Sequence, residues 1–275
     1  MKTNGNIPPR PAKTIASRLA HRLFVRVFAI FCIVGVGAAV VAKPASKKVA
    51  TKLKKAEAPP ARVLVIGDSL SVANFGEVLR DYLVSRFGEK NVSLYASCGS
   101  SPQSWLRSEP DFVTRCGFRE HTPRKNAYID FHDGKPPAHV RTPKVEDLLA
   151  SEHPTIVLVQ LGTNWMDGIT AAPSAKEPEY RDIAHRFVRA IRQAPSVERI
   201  VWITPPDSSH FSQRVQRTVE SIIKEVVPRR SDLVISSALT HYVSGKTGGD
   251  GVHYNKEASA EWARNVAGEL NTKLP

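Results

Sequence analysis

The chain has 275 residues, 41% hydrophobic and 24% charged, ordinary values for a globular protein long enough to bury a real core. A formal charge of +13 points first to nucleic acid or a membrane, yet 12 of the 39 Lys and Arg and only one of the 26 Asp and Glu fall in residues 1–60. The remaining 27 basic and 25 acidic side chains leave the folded part nearly neutral, which removes the main motive for nucleic-acid binding there.

Residues 27–42, VFAIFCIVGVGAAVVA, are sixteen consecutive apolar or small residues preceded by Lys2, Arg10, Lys13, Arg18, Arg22 and Arg26, the layout of a secretory signal. A membrane span needs ~20 apolar residues, a length reached only from Leu23 with Arg26 snorkelling. Val40 and Ala42 suit a cleavage site, whereas the long basic lead suits an uncleaved anchor. Residues 1–42 are therefore expected to be a signal peptide or signal anchor, and the rest to be exported. That means periplasmic or extracellular, with residues 23–42 as the candidate inner-membrane anchor. Residues 43–60, KPASKKVATKLKKAEAPP, lack aromatics and any apolar face and are a solvated linker. A single domain is expected over 61–275. Cys32 lies in the apolar run, which leaves Cys98 and Cys116 either as one disulfide in an oxidising compartment or as two free thiols.

From Arg62 the pattern becomes regular. VLVI at 63–66 is a short strand, followed by a glycine-containing turn and a helical spacing of apolar residues over 73–87. VSLYAS at 92–97 is a second strand. The stretch 101–150, rich in Pro, His, Arg and Gly, is expected to be an irregular excursion over one end of the sheet with a short helix near 143–150, the kind of long loop that usually serves as a lid or binding loop. TIVLVQL at 155–161 is apolar almost throughout, as in a strand covered on both faces. A helix at 179–193, a strand at 199–204, a helix at 211–227, a strand at 232–237 and a helix at 256–271 complete the alternation. Strands alternating with helices predict a parallel sheet in a three-layer α/β/α sandwich.

Four segments with chemical potential each fall where a strand ends, the edge at which open α/β sheets bind ligands. Gly67-Asp68-Ser69-Leu70 places a serine at a strand-to-helix turn, although Asp and Ser are also ordinary helix caps. Gly99, in ASCGSS at 96–101, is a glycine whose backbone N–H could face a developing oxyanion; Gly117 is a second glycine 18 residues on. Asn164, in Gly162-Thr163-Asn164, offers a neutral amide donor to the same charge, or a simple turn. Asp250-Gly251-Val252-His253 sets a carboxylate three residues before a histidine in a glycine-rich loop, where the acid could orient the base.

Taken together and in this order, GDSL, the glycine after the second strand, G-x-N after the third and D-x-x-H before the last helix resemble the SGNH/GDSL hydrolase superfamily of serine esterases and acetylesterases over residues 62–272. The resemblance implies a flavodoxin-like α/β/α fold with a central parallel sheet. It implies Ser69 as nucleophile, Asp250 and His253 as the rest of the triad, and the Ser69 N–H, Gly99 N–H and Asn164 amide as oxyanion hole, with neither metal nor organic cofactor. Trp165 replaces the commoner Asp after Asn164, which suggests a different pocket wall. Trp105, Trp165, Trp202 and Trp262 are read mostly as core or pocket-rim residues, although Trp105 and Trp165 follow two of these segments and could stack on a sugar ring. His121, His132, His139 and His153 lack metal-pair spacing and are read as loop residues. The expected activity is hydrolysis of a small acyl ester, acetyl for example, on a carbohydrate. The alternatives are acyl transfer to an envelope glycan and a non-catalytic binding protein of the same fold. Oligomeric state is left open.

Overall fold

The computed structural model describes residues 60–130, 139–227 and 230–274. The signal or anchor segment and the linker lie outside them, and among the described residues no helix is long and apolar enough to cross a membrane.

The apolar runs become the centre of a seven-stranded sheet ordered β4-β3-β2-β1-β5-β6-β7. β1 (Val63–Gly67) is flanked in parallel by β2 (Val92–Ser97) and β5 (Ile156–Gln160), and β6 (Arg199–Ile203) and β7 (Leu233–Ile235) continue the parallel array. β1, β2 and β5 are buried at every position because both faces are covered. The period of two along a strand divides the apolar side chains between two clusters. Val63, Val65, Leu94 and Leu158 pack under α2 (Asn74–Phe87) and α7 (Lys256–Lys273), where Phe75 and Trp262 stack with centroids 3.5 Å apart. Leu64, Ile66, Val157 and Val159 face the other way, toward α3 (Val145–Glu152), α5 (Pro173–Arg192) and α6 (Gln213–Val226). Truncating a fully buried indole such as Trp262 to alanine would cost about 3–5 kcal/mol.

Two features depart from expectation. The sheet is mixed, not wholly parallel: the stretch thought irregular contains β3 (Gly117–Thr122) and β4 (Lys125–Asp130), a two-stranded hairpin that adds antiparallel to β2. Its residues, GFREHT and KNAYID, are polar and half exposed, so no apolar run announced them. His121, read as a loop residue, is a strand residue that pairs with Glu77 at 3.0 Å. The helix expected at 179–193 begins earlier, at Pro173, where a missing N–H costs nothing in the first turn, and a short helix α4 (Met166–Ala171) precedes it.

The chain leaves β1 toward β2 and later returns to β1's other side with β5. This reversal of strand order opens a crevice at the carboxyl end of β1. The turns after β1, β2 and β5 all emerge there.

Candidate active site

β1 stops at Gly67 because its neighbour comes too close for a side chain: a Cβ there would lie 2.3 Å from Ser71 Cβ. The contact folds the next turn, α1 (Ser69–Val72), back over the strand end, and Asp68 caps it by accepting the Leu70 N–H at 3.1 Å. Ser69 is the first residue of α1 and only half buried. Its Oγ lies 2.9 Å from His253 Nε2, and His253 Nδ1 lies 2.6 Å from Asp250 Oδ2. The other Asp250 oxygen accepts the backbone N–H of Val252 at 2.9 Å and of His253 at 2.7 Å. Burial would raise the Asp250 carboxyl, but the His253 ring and these two backbone donors outweigh it and hold the group at about 2. Asp250 therefore carries its charge throughout the neutral range.

Sequence reasoning missed what holds this loop in place. The Gly251 carbonyl accepts the Ser208 hydroxyl at 2.6 Å and the Ser209 and His210 N–H groups at 3.1 and 3.3 Å, while the Gly251 N–H donates to Tyr242 Oη at 2.8 Å. Tyr254 Oη donates to the Asp207 carbonyl at 2.6 Å. These tethers run through backbone groups, so no spacing rule announces them.

On the other side of Ser69, the Asn164 amide donates to the Ser100 carbonyl at 2.8 Å, which joins the turn after β5 to the turn after β2 and leaves its second N–H uncommitted by that bond. Gly99 adopts φ 77, a left-handed conformation that a side chain would strain. Neither the Ser69 N–H nor the Gly99 N–H has an acceptor among the described residues. Gly117, by contrast, is tied into the hairpin, its carbonyl accepting the Cys98 N–H at 2.9 Å. Trp105 and Trp165 are fully buried, which rules out stacking on a sugar and removes Trp165 as a pocket wall. They brace the turns instead: Trp105 Nε1 donates to Ser100 Oγ at 3.1 Å, and Trp165 Nε1 to Gln103 Oε1 at 2.9 Å while its ring stacks on Tyr180. Cys98 and Cys116 form a disulfide, Cα to Cα 5.4 Å, which links the Gly99 turn to the foot of the hairpin.

Beneath the serine, Asp68 is completely buried, and its Oδ2 has no hydrogen-bond partner. Thr163 and Gln160 face it without reaching hydrogen-bond geometry, and the Gln160 carbonyl oxygen already accepts from Ser71 Oγ at 2.6 Å. Burial pushes the Asp68 carboxyl up to about 6, against the pull of the Leu70 N–H and these two neighbours. A cavity of about 260 Å³ opens beside Ser69, between α1 and the hairpin, with Val72, the disulfide, Tyr128, Asp250 and His253 on its walls.

A mostly parallel sheet that presents a serine, hydrogen-bonded to a histidine, at its switch point is the build of an α/β carboxylic-ester hydrolase. This chain belongs to the GDSL-like lipase/acylhydrolase family, whose model matches residues 63–266. Among solved structures it is similar to an acetyl esterase mutant holding an acetate ion, at TM-score 0.51 and 12% identity over 77% of this chain and 97% of that one. It is also similar to a peptidoglycan O-acetylesterase (TM-score 0.49, 12% identity, 77% and 91% covered) and to a carbohydrate esterase family 3 protein from Talaromyces cellulolyticus (TM-score 0.45, 14% identity, 77% and 97% covered). At such identities the likeness is one of fold. No curated protein matches in sequence.

Proposed function

We propose that this chain is an exported serine esterase that removes a small acyl group, acetyl foremost, from a carbohydrate through an acyl-serine intermediate. The observation that carries the reading is the unbroken series Ser69 Oγ, His253 Nε2, His253 Nδ1, Asp250 Oδ2 at 2.9 and 2.6 Å. A helix cap or a solvated loop histidine has no need of that series.

Ser69 Oγ attacks the ester carbonyl carbon while His253 Nε2 takes the hydroxyl proton, and Asp250 stabilises the imidazolium that results. Negative charge gathers on the carbonyl oxygen, where the Ser69 and Gly99 N–H groups and the second Asn164 amide proton are available to receive it. As the carbon–oxygen bond to the alcohol breaks, His253 returns its proton to the leaving oxygen. Water then repeats the cycle: its proton goes to His253, its oxygen to the acyl carbon, and Ser69 Oγ departs with the proton back. An acetyl group fits the likeness to the acetyl esterase, and export fits both the apolar segment at 27–42 and the disulfide, a bond of oxidising compartments.

A serine-directed phosphonate tests the reading. One equivalent should attach to Ser69 and none to another serine, with loss of ester hydrolysis in proportion to labelling. Labelling elsewhere, or hydrolysis by Ser69→Ala with the wild-type pH profile, would overturn it.

A further inference from the structure

The cavity beside Ser69 does not end there. A second cavity of about 380 Å³ shares Val72, Ala73, Tyr128, Tyr254 and Ser259 with it, so the two form one groove. The groove leaves the serine between the start of α2 and the hairpin and ends at Asn74, Glu77, Arg119 and Lys256.

Its chemistry changes along its length. Near Ser69 an apolar wall of Leu70, Val72, Ala73 and the disulfide faces the polar side chains of Asp130, Asp250 and His253. At the far end they are ionic: Glu77 accepts from Arg119 Nε at 2.6 Å, and Lys256 adds a cation. Midway stands Tyr128, 48% exposed in a chain whose tryptophans are all buried. Its hydroxyl donates to Asp130 Oδ2 at 2.9 Å, and the Arg119 guanidinium lies 5.3 Å from its ring centroid.

Which half of an ester enters this groove follows from the proton transfers. His253 must deliver its proton to the leaving oxygen, so the alcohol lies on the histidine side and the carbonyl oxygen on the side of Gly99 and Asn164. His253 and Asp250 line the groove, and neither Gly99 nor Asn164 does. An alkyl alcohol would desolvate Glu77, Arg119 and Lys256 without offering them a partner. A sugar has apolar C–H faces for an aromatic ring and hydroxyls that both donate and accept, which suits Tyr128 with Asp130 midway and the ionic groups beyond. We infer that this groove is the alcohol subsite, that it holds a sugar ring, and that Tyr128 on the hairpin is its specificity-determining residue. The inference rests on the serine-esterase reading above.

The test compares two acetate esters on the full chain: ethyl acetate, whose alcohol has no ring to stack on Tyr128, and an O-acetylated oligosaccharide. Tyr128→Ala should lower kcat/KM for the oligosaccharide relative to ethyl acetate by about tenfold, the change appearing in KM, since one aromatic contact contributes on that order. Tyr128→Phe, which keeps the ring and loses the hydroxyl, should restore most of the ratio. An unchanged ratio in Tyr128→Ala would overturn the inference, as would a wild-type preference for ethyl octanoate over ethyl acetate that Tyr128→Ala removes, because the groove would then hold the acyl chain. Should wild type hydrolyse ethyl acetate yet show no preference for the sugar ester, the esterase reading stands and the sugar subsite falls. Wild type inactive on every ester would sink both.

Discussion

On one side of Ser69 the histidine and its aspartate stand exposed on a loop, while on the other the turns that carry Gly99 and Asn164 are braced by two fully buried tryptophans and a disulfide. The difference matches the role proposed for each side. A base that trades protons with substrate and water needs access to solvent, and its alignment comes from short hydrogen bonds to the backbone. Donors to an oxyanion contribute by already being in place when charge develops, so they belong on parts of the molecule that cannot relax.

The sharpest way to test the exposed side is to remove its chemistry. Ser69→Ala and His253→Ala should each lower kcat by about 10⁴-fold or more, and the double variant should be little worse than either, since the groups act as a unit. Additive losses would show that the two do not work together. On the braced side, Asn164→Ala should lower kcat by about 10²–10³-fold with KM little changed; a loss confined to KM would place Asn164 in substrate binding instead.

Beneath both sides lies Asp68, whose effect is on stability. Its folded-state value of about 6 stands above the 3.8 of an ordinary Asp, so the neutral carboxyl favours the fold. That contribution is complete below pH 3.8 and is lost as pH rises through 6. Asp68→Asn keeps a capping residue but does not ionise. Relative to it, wild type should lose about 3 kcal/mol between pH 3.5 and pH 7, read by denaturant unfolding at the two pH values; parallel stabilities would refute it. The smallest effect concerns the tether of the base loop. Tyr242→Phe strips the Gly251 N–H of its acceptor and should cost about 1–3 kcal/mol in stability, with a drop in kcat that exceeds any change in KM. Unaltered kcat would show that the loop needs no such support.

Much of this was legible in the sequence. The parallel strands were apolar runs, Ser69 of the proposed triad sat just past the end of the first of them, and Asp250 and His253 sat in a glycine-rich loop just before the last helix. The hairpin escaped because its strands, β4 at the sheet edge and β3 beside it, carry polar residues on both faces, leaving no period to detect. The tryptophans are core residues, as expected of most of them, and only the alternative of sugar stacking by Trp105 and Trp165 fails. Trp105 and Trp165 follow two of the candidate segments in sequence, but a large indole is held more firmly inside, and each spends its N–H on a neighbouring polar side chain. Asp68 looked like a cap and is one; nothing in its local sequence reveals that its second oxygen is buried without a partner, since Gln160 and Thr163 come from the end of β5 and the turn after it.

The hairpin stands outside the parallel core, joined to it by β2 on one side and by a covalent bridge at its foot. The five parallel strands and both apolar clusters are largely complete without it. Changes at its exposed positions therefore leave the parallel core untouched, while a change at Tyr128 reshapes one wall of the groove. On the proposed reading, the module that meets substrate stands outside the parallel core. That makes the hairpin the natural segment to graft or randomise when a new ester preference is sought on an unaltered catalytic frame.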